Sequence, residues 1–93
     1  MRVYHQTNAA DAILRDGFRD TRASYMLVGM ELDGVWVSDQ PIDADEGAIG
    51  TQLLAIDLDV LLPREFEVVE EGKPYREWCV PANFLNAGRV RRL

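Results

Sequence analysis

The chain holds a single cysteine, Cys79, and a single histidine, His5. One thiol cannot close an intramolecular disulfide, and no thiolate cluster exists to hold zinc. That usage fits a reducing compartment. No run approaches the roughly 18 apolar residues of a membrane span. The opening MRVYHQTNAAD carries no apolar signal segment. A cytoplasmic protein with no membrane partner is therefore expected. Lys and Arg form no long stripe and the net charge is -6, which argues against duplex nucleic acid or an anionic membrane as a default partner. Gly47 and Gly50 match neither a dinucleotide fingerprint nor a P-loop. Ser38 lacks the G-x-S-x-G context, so a paper triad of Ser38, His5 and Asp57 has no nucleophile elbow. Asp43, Asp45 and Glu46 lack the oxygen spacing of a calcium loop and read as a solvated acidic turn. No metal site is expected, and no internal repeat is visible.

What remains is an ordinary globular composition, with 47% hydrophobic and 28% charged residues in 93. It is enough for one domain over 1–93 with one modest core. Arg2 to Tyr4 read as a strand running into His5. Asn8 is the expected N-cap of a helix over 9–16, with Ala9, Ile13 and Ala12 inward and Leu14 at the edge of the stripe. Gly17 stops that helix and Phe18 clasps its last turn. Residues 19–24 read as loop. Met26, Met30 and Leu32 favour the end of a short helix over a strand. In DGVWVSDQPI, Val35 and Val37 alternate with Trp36. The valines face a core, and Trp36, edged by Gly34 and Ser38, is a second anchor or one wall of a slot for a flat ring. Residues 42–50 read as a loop or one helical turn. Strands are expected over 52–59, 66–71, 75–80 and 89–93, with a helical turn over 81–85 begun by Pro81. The last strand carries Arg89, Arg91 and Arg92, read as an edge with solvated charges or as a phosphate contact. The sum is an α+β domain with one early helix and a compact, mostly antiparallel sheet.

Two polar residues stand out. His5 follows a strand and has a pKa suited to acid–base work, although a strand-end imidazole bonded to a backbone carbonyl has the same pattern. Glu77 sits mid-strand between Tyr75 and Cys79, where a carboxylate is either paired to an arginine or functional.

Three segments together resemble the ADP-ribosyltransferases of the diphtheria-toxin and poly(ADP-ribose) polymerase type, the His-Tyr-Glu class. VYHQTNAADAILRDGF is similar to the first motif, GVWVSD to the second, and YREWCVPANFLNAG to the third. They come in the family's order and cover most of the chain. The resemblance implies a split antiparallel sheet that binds NAD as substrate. His5 would bond a ribose hydroxyl on the adenosine side. The Gln6 backbone would hold the nicotinamide carboxamide, with the Thr7 hydroxyl close by. Trp36, edged by Ser38, would wall the nicotinamide slot, and Tyr25 or Tyr75 would complete it. Glu77 would bond the nicotinamide ribose and polarise its C1′. The implied activity is ADP-ribosyl transfer, a glycosyltransferase reaction, to a protein, nucleic acid or small-molecule acceptor, or NAD hydrolysis. Gln6 stands where the family has Gly, Trp36 stands where it has Tyr, and no aromatic follows in 44–50. Those departures imply the alternative, a non-catalytic nucleotide- or protein-binding domain of the same fold. The related RNA 2′-phosphotransferase chemistry would want more histidines and more basic residues than the chain has.

Overall fold

The computed structural model describes residues 1–25, 30–41, 50–69 and 71–93, without the side chains of 22–25 and 30–32. The elements are β1 (Arg2–Thr7), α1 (Ala10–Asp16), β2 (Thr21–Tyr25), β3 (Met30–Ser38), β4 (Gln52–Asp57), a 3₁₀ turn (Arg64–Phe66), β5 (Glu67–Val68), β6 (Glu77–Val80), α2 (Ala82–Asn86) and β7 (Arg89–Arg92). Six strands lie in the order β5-β6-β3-β1-β4-β7, and β2 pairs with β3 off this path. Every pairing among the described residues is antiparallel. The α+β expectation holds at that level. Among the described residues, no helix is long and apolar enough to cross a membrane.

Register fixes two faces, because residues directly opposite each other in an antiparallel ladder point the same way. One face carries Val3, Val35, Val37, Leu54, Ile56, Trp78 and Val80, and these form the core with Ala10, Phe18, Ala82 and Leu85. Both helices therefore cover that face. The other face carries Tyr4, Gln6, Trp36, Ser38, Ala55, Glu77 and Cys79, and none of these joins the core cluster. The expected split of Val35 and Val37 from Trp36 is observed.

Several local expectations are corrected. Asn8 does not cap α1. Its Oδ1 accepts from the Thr51 amide at 3.0 Å and the Thr51 hydroxyl at 3.3 Å, while Thr7 Oγ1 takes the Ala9 amide at 2.9 Å. Drawn toward the start of β4, the Asn8 carboxamide leaves Ala9 in the cap position with no side-chain bond. The inward stripe is Ala10 with Ile13, not Ala9 or Ala12, which are exposed. Met30 and Leu32 lie in a strand rather than a helix, and the polar stretch 21–25 is its partner strand. Residues 26–29 lie outside the described residues, as do 42–49 with the expected acidic loop. The strand expected over 66–71 is only Glu67–Val68, preceded by the 3₁₀ turn. β7 is the expected edge strand. Arg92 pairs with Asp11, and Arg89 lies 3.6 Å from Asp59.

The unit around Gly17 forms as expected. The Gly17 amide bonds the Ile13 carbonyl at 2.8 Å, and Phe18 is buried. Asn86, at the end of α2, reaches back and bonds both sides of Phe18. Its Oδ1 accepts from the Phe18 amide at 2.7 Å and its Nδ2 donates to the Phe18 carbonyl at 3.0 Å. That double bond ties α2 to the end of α1 beneath the sheet.

Candidate functional site

β1 and β3 are neighbours that meet at one registered pair, Tyr4↔Ser38. On its other side β1 pairs with β4 along its whole length. Met1 and Leu58 exchange backbone bonds at 2.8 Å, so the backbones of Val3, His5 and Thr7 also turn to β4. The N–H and C=O of Tyr4 and Gln6 then turn toward β3. Asp39 bonds the Arg76 carbonyl at 3.0 Å, which turns Asp39, Val37 and Val35 to β6 and leaves Ser38 and Trp36 turned to β1. Beyond the Tyr4–Ser38 pair, Gln6 and Trp36 therefore hold their backbone edges toward one another across a parting of the sheet.

His5 fills part of that parting. Its Nδ1 lies 2.7 Å from the Trp36 carbonyl oxygen. A carbonyl only accepts, so Nδ1 carries the proton and Nε2 of the neutral ring is an acceptor. The ring meets Phe18 edge-on, with centroids 5.5 Å apart. Burial pushes the His5 pKa below 6.5, against the opposing pull of the Trp36 carbonyl, so the ring is neutral at pH 7. By register His5 belongs to the core face, opposite Trp36 and Glu77. It reaches β3 through the parting, by way of the Trp36 backbone.

Trp36 and Glu77 do share a face. Ser38 is paired with Glu77 and Trp36 with Cys79, so the two lie diagonally on adjacent strands. Trp36 is half-buried. Glu77 is not on an edge, since β5 pairs beyond it. Among the described residues it is not paired to an arginine either. Arg76 points to the core face, forks onto Glu67 at 2.6 and 3.1 Å and stacks 4.9 Å over the Trp78 ring. Glu77 instead has Lys73 Nζ at 3.5 Å, and that ammonium also lies 5.4 Å above the Tyr75 ring. Sequence reading missed Lys73. Its only signal is a spacing of four from Glu77, and it comes through a Gly72–Pro74 turn rather than a helix.

The remaining expected residues are placed as follows. Gln6 is half-buried and its Nε2 donates to the Gly50 carbonyl at 2.8 Å. Thr7 uses its oxygen to accept from Ala9. Ser38 is buried, and its hydroxyl donates to the Gln40 carbonyl at 2.6 Å, which commits it to the turn after β3. Tyr25 pairs by backbone with Met30, and its side chain lies outside the description. Tyr75 is buried beside Lys73. An open depression of about 470 Å³ lies elsewhere, lined by Arg64, Glu67, Val69 and Arg76. Its strongest charges, Arg76 and Glu67, already satisfy each other.

Compared with known protein families, curated proteins and solved structures, the chain matches none.

Proposed function

We propose that the chain is a small ADP-ribosyltransferase-like domain that takes NAD as substrate at the parting of β1 and β3. The observation that carries this reading is the parting itself. It brings a neutral His5, the turned-out Gln6 backbone and Trp36 to one place, with Glu77 one strand further on the face opposite the core.

The donor and acceptor set fits the substrate. His5 Nε2 is an acceptor for a ribose hydroxyl. The Gln6 N–H and C=O match the two ends of a carboxamide. Trp36 offers a flat apolar wall for the nicotinamide ring. In the reaction, the C1′–N bond of the nicotinamide ribose breaks and its electron pair leaves with nicotinamide, discharging the pyridinium. Cationic character develops at C1′, where the fixed Glu77 carboxylate stabilises it while accepting from a ribose hydroxyl. A lone pair of the acceptor, or of water, forms the new bond to C1′, and the acceptor's proton passes to solvent.

One observation favours the second reading, a binding domain without catalysis. Lys73 lies 3.5 Å from Glu77 and offsets its charge. Incubation with NAD labelled in the nicotinamide separates the two. Under the first reading wild type releases nicotinamide, and Glu77→Ala releases at least about a hundredfold less. Binding without release in wild type would favour the second.

A further inference from the structure

β5 and β7 end the strand order, and β7 offers the longer edge, four residues against two. The Leu93 amide bonds the Leu53 carbonyl at 2.9 Å, so the backbones of Leu93, Arg91 and Arg89 turn to β4. Those of Val90 and Arg92 turn outward, and among the described residues nothing bonds their N–H or C=O groups. The edge therefore presents two donors and two acceptors in alternation.

Register sorts the side chains of this edge. Val90 and Arg92 stand opposite Ile56 and Leu54, on the helix-covered face. There Arg92 holds Asp11 of α1, and Leu14, one turn further along that helix, is 45% exposed. Arg89 and Arg91 stand opposite Asp57 and Ala55, on the other face. Asp57 is already taken by Arg2, which forks onto it at 2.7 and 3.3 Å and, with Arg91 and Arg89 adding to the field, holds its carboxyl below 3.8. Arg89 reaches Asp59 only loosely, at 3.6 Å between exposed side chains, and Arg91 has no carboxylate partner among the described residues. In a chain of net charge -6, this corner is short of negative charge.

The kind of partner follows from the layout. The arginines are spread over both faces of one strand, so they do not gather round a single phosphate. Arg89 and Arg91 are two residues apart on one face, roughly 7 Å, which is the spacing of alternate carboxylates on an extended chain. A phosphodiester chain supplies acceptors for the outward N–H groups but no donors for the outward C=O groups, whereas a peptide supplies both. A second copy paired antiparallel through β7 sets arginine against arginine in each register that overlaps the two strands.

We propose that the β7 edge docks an extended acidic segment of a partner protein, added antiparallel like the described strands. The partner residues opposite Val90 and Arg92 turn their N–H and C=O to β7 and are apolar, beside Leu14. The residues between them are acidic and pair with Arg89 and Arg91. The inference is independent of the NAD reading.

The test follows backbone amide resonances at pH 7.5 while a capped peptide alternating glutamate with valine is added. Saturable shifts are expected at Val90 and Arg92. N-methylation of the valine amides is expected to weaken binding at least about tenfold, and N-methylation of the glutamate amides, which turn away from β7, to change it by less than about threefold. Arg91→Glu is expected to weaken binding about tenfold, and replacing the peptide's glutamates with lysines to abolish it. The inference is overturned by no saturable shift at Val90 and Arg92, by equal losses from the two N-methylations, or by equal binding of the lysine peptide or of a single-stranded oligodeoxynucleotide at the same amides. A dimer that protects the β7 amides without peptide also overturns it. Should Arg91→Glu unfold, the peptide series on wild type decides by the same outcomes.

Discussion

At the scale of the residue, His5 carries the most physical information. Its Nδ1–H is used on the Trp36 carbonyl and its ring edge is packed on Phe18, so a second proton would place a charge in a partly apolar site. The sign of the pH effect follows. The folded pKa lies below the unfolded 6.5, so as pH falls the unfolded chain binds the proton first. Stability is flat above pH 6.5 and declines as pH falls from there through the folded pKa. The shifted carboxylates, Asp57 and Glu67, are held below 3.8 and 4.5 by Arg2 and Arg76, so their loss comes at lower pH. Urea unfolding between pH 7.5 and 5 is expected to show a declining stability in wild type and a flatter profile in His5→Gln. Equal slopes in the two proteins would contradict the burial of a neutral ring. Asn86 gives a second expectation at this scale. Its amide is bonded to both polar groups of Phe18, and Asn86→Ala leaves them without those partners. The cost is about 2 kcal/mol, read from the shift of the urea midpoint. Residue types of this kind are only half legible in sequence. The Gly17–Phe18 stop was visible because backbone chemistry marks it. The Asn86 link spans the chain from α2 to the end of α1, and no local pattern announces it.

At the scale of the element, β3 decides the architecture. It changes partners at Gly34, where the β2 ladder ends and the β6 ladder begins. Gly34 has φ +152° and a Cβ on it would stand 2.7 Å from the Val80 carbonyl oxygen, so the crossing is built for a residue without one. The second half of β3 was legible, because the alternation of Val35, Trp36 and Val37 reports its two faces. The first half was not. Met30 and Leu32 stand at a spacing that a helix or a strand accommodates, and the pairing with β2 settles it for strand. β2 itself is a polar segment that is a strand because it has a partner, not because it has a pattern. The links between the end of β1 and the start of β4 were also hidden, since Gln6, Asn8 and Gln52 pair with positions more than forty residues away. Gly50→Ala tests that clasp. Gly50 has φ +112°, and a Cβ there would stand 2.6 Å from the Thr7 Cα, which predicts a loss on the order of 3 kcal/mol or failure to fold. Gly72→Ala, whose added Cβ meets nothing within 4 Å, is expected to cost less in the same denaturation assay despite its positive φ.

At the scale of the whole molecule, both helices cover one face of the sheet, Gln6, Trp36, Ser38 and Glu77 stand on the other, and His5 belongs to the helix-covered face. The three resembling segments fall on β1, β3 and β6, and β3 is the neighbour of both other strands. That adjacency is why widely separated segments can act at one place. The resemblance ordered the segments, but it did not reveal that His5 arrives from the core side through a parting in the sheet, nor that Lys73 attends Glu77. Lys73→Ala follows as a whole-site prediction. Removing the ammonium leaves the Glu77 carboxylate without its counter-charge, so nicotinamide release is expected to rise severalfold with little change in NAD affinity. A fall in release would instead give Lys73 a part in holding Glu77 or substrate. The central claim, that NAD binds at the β1–β3 parting, is tested most directly by following backbone amide resonances while NAD is added. Saturable shifts are predicted at Gln6 and Trp36, with the β7 edge unmoved. No saturable shift at Gln6 or Trp36 would contradict the account.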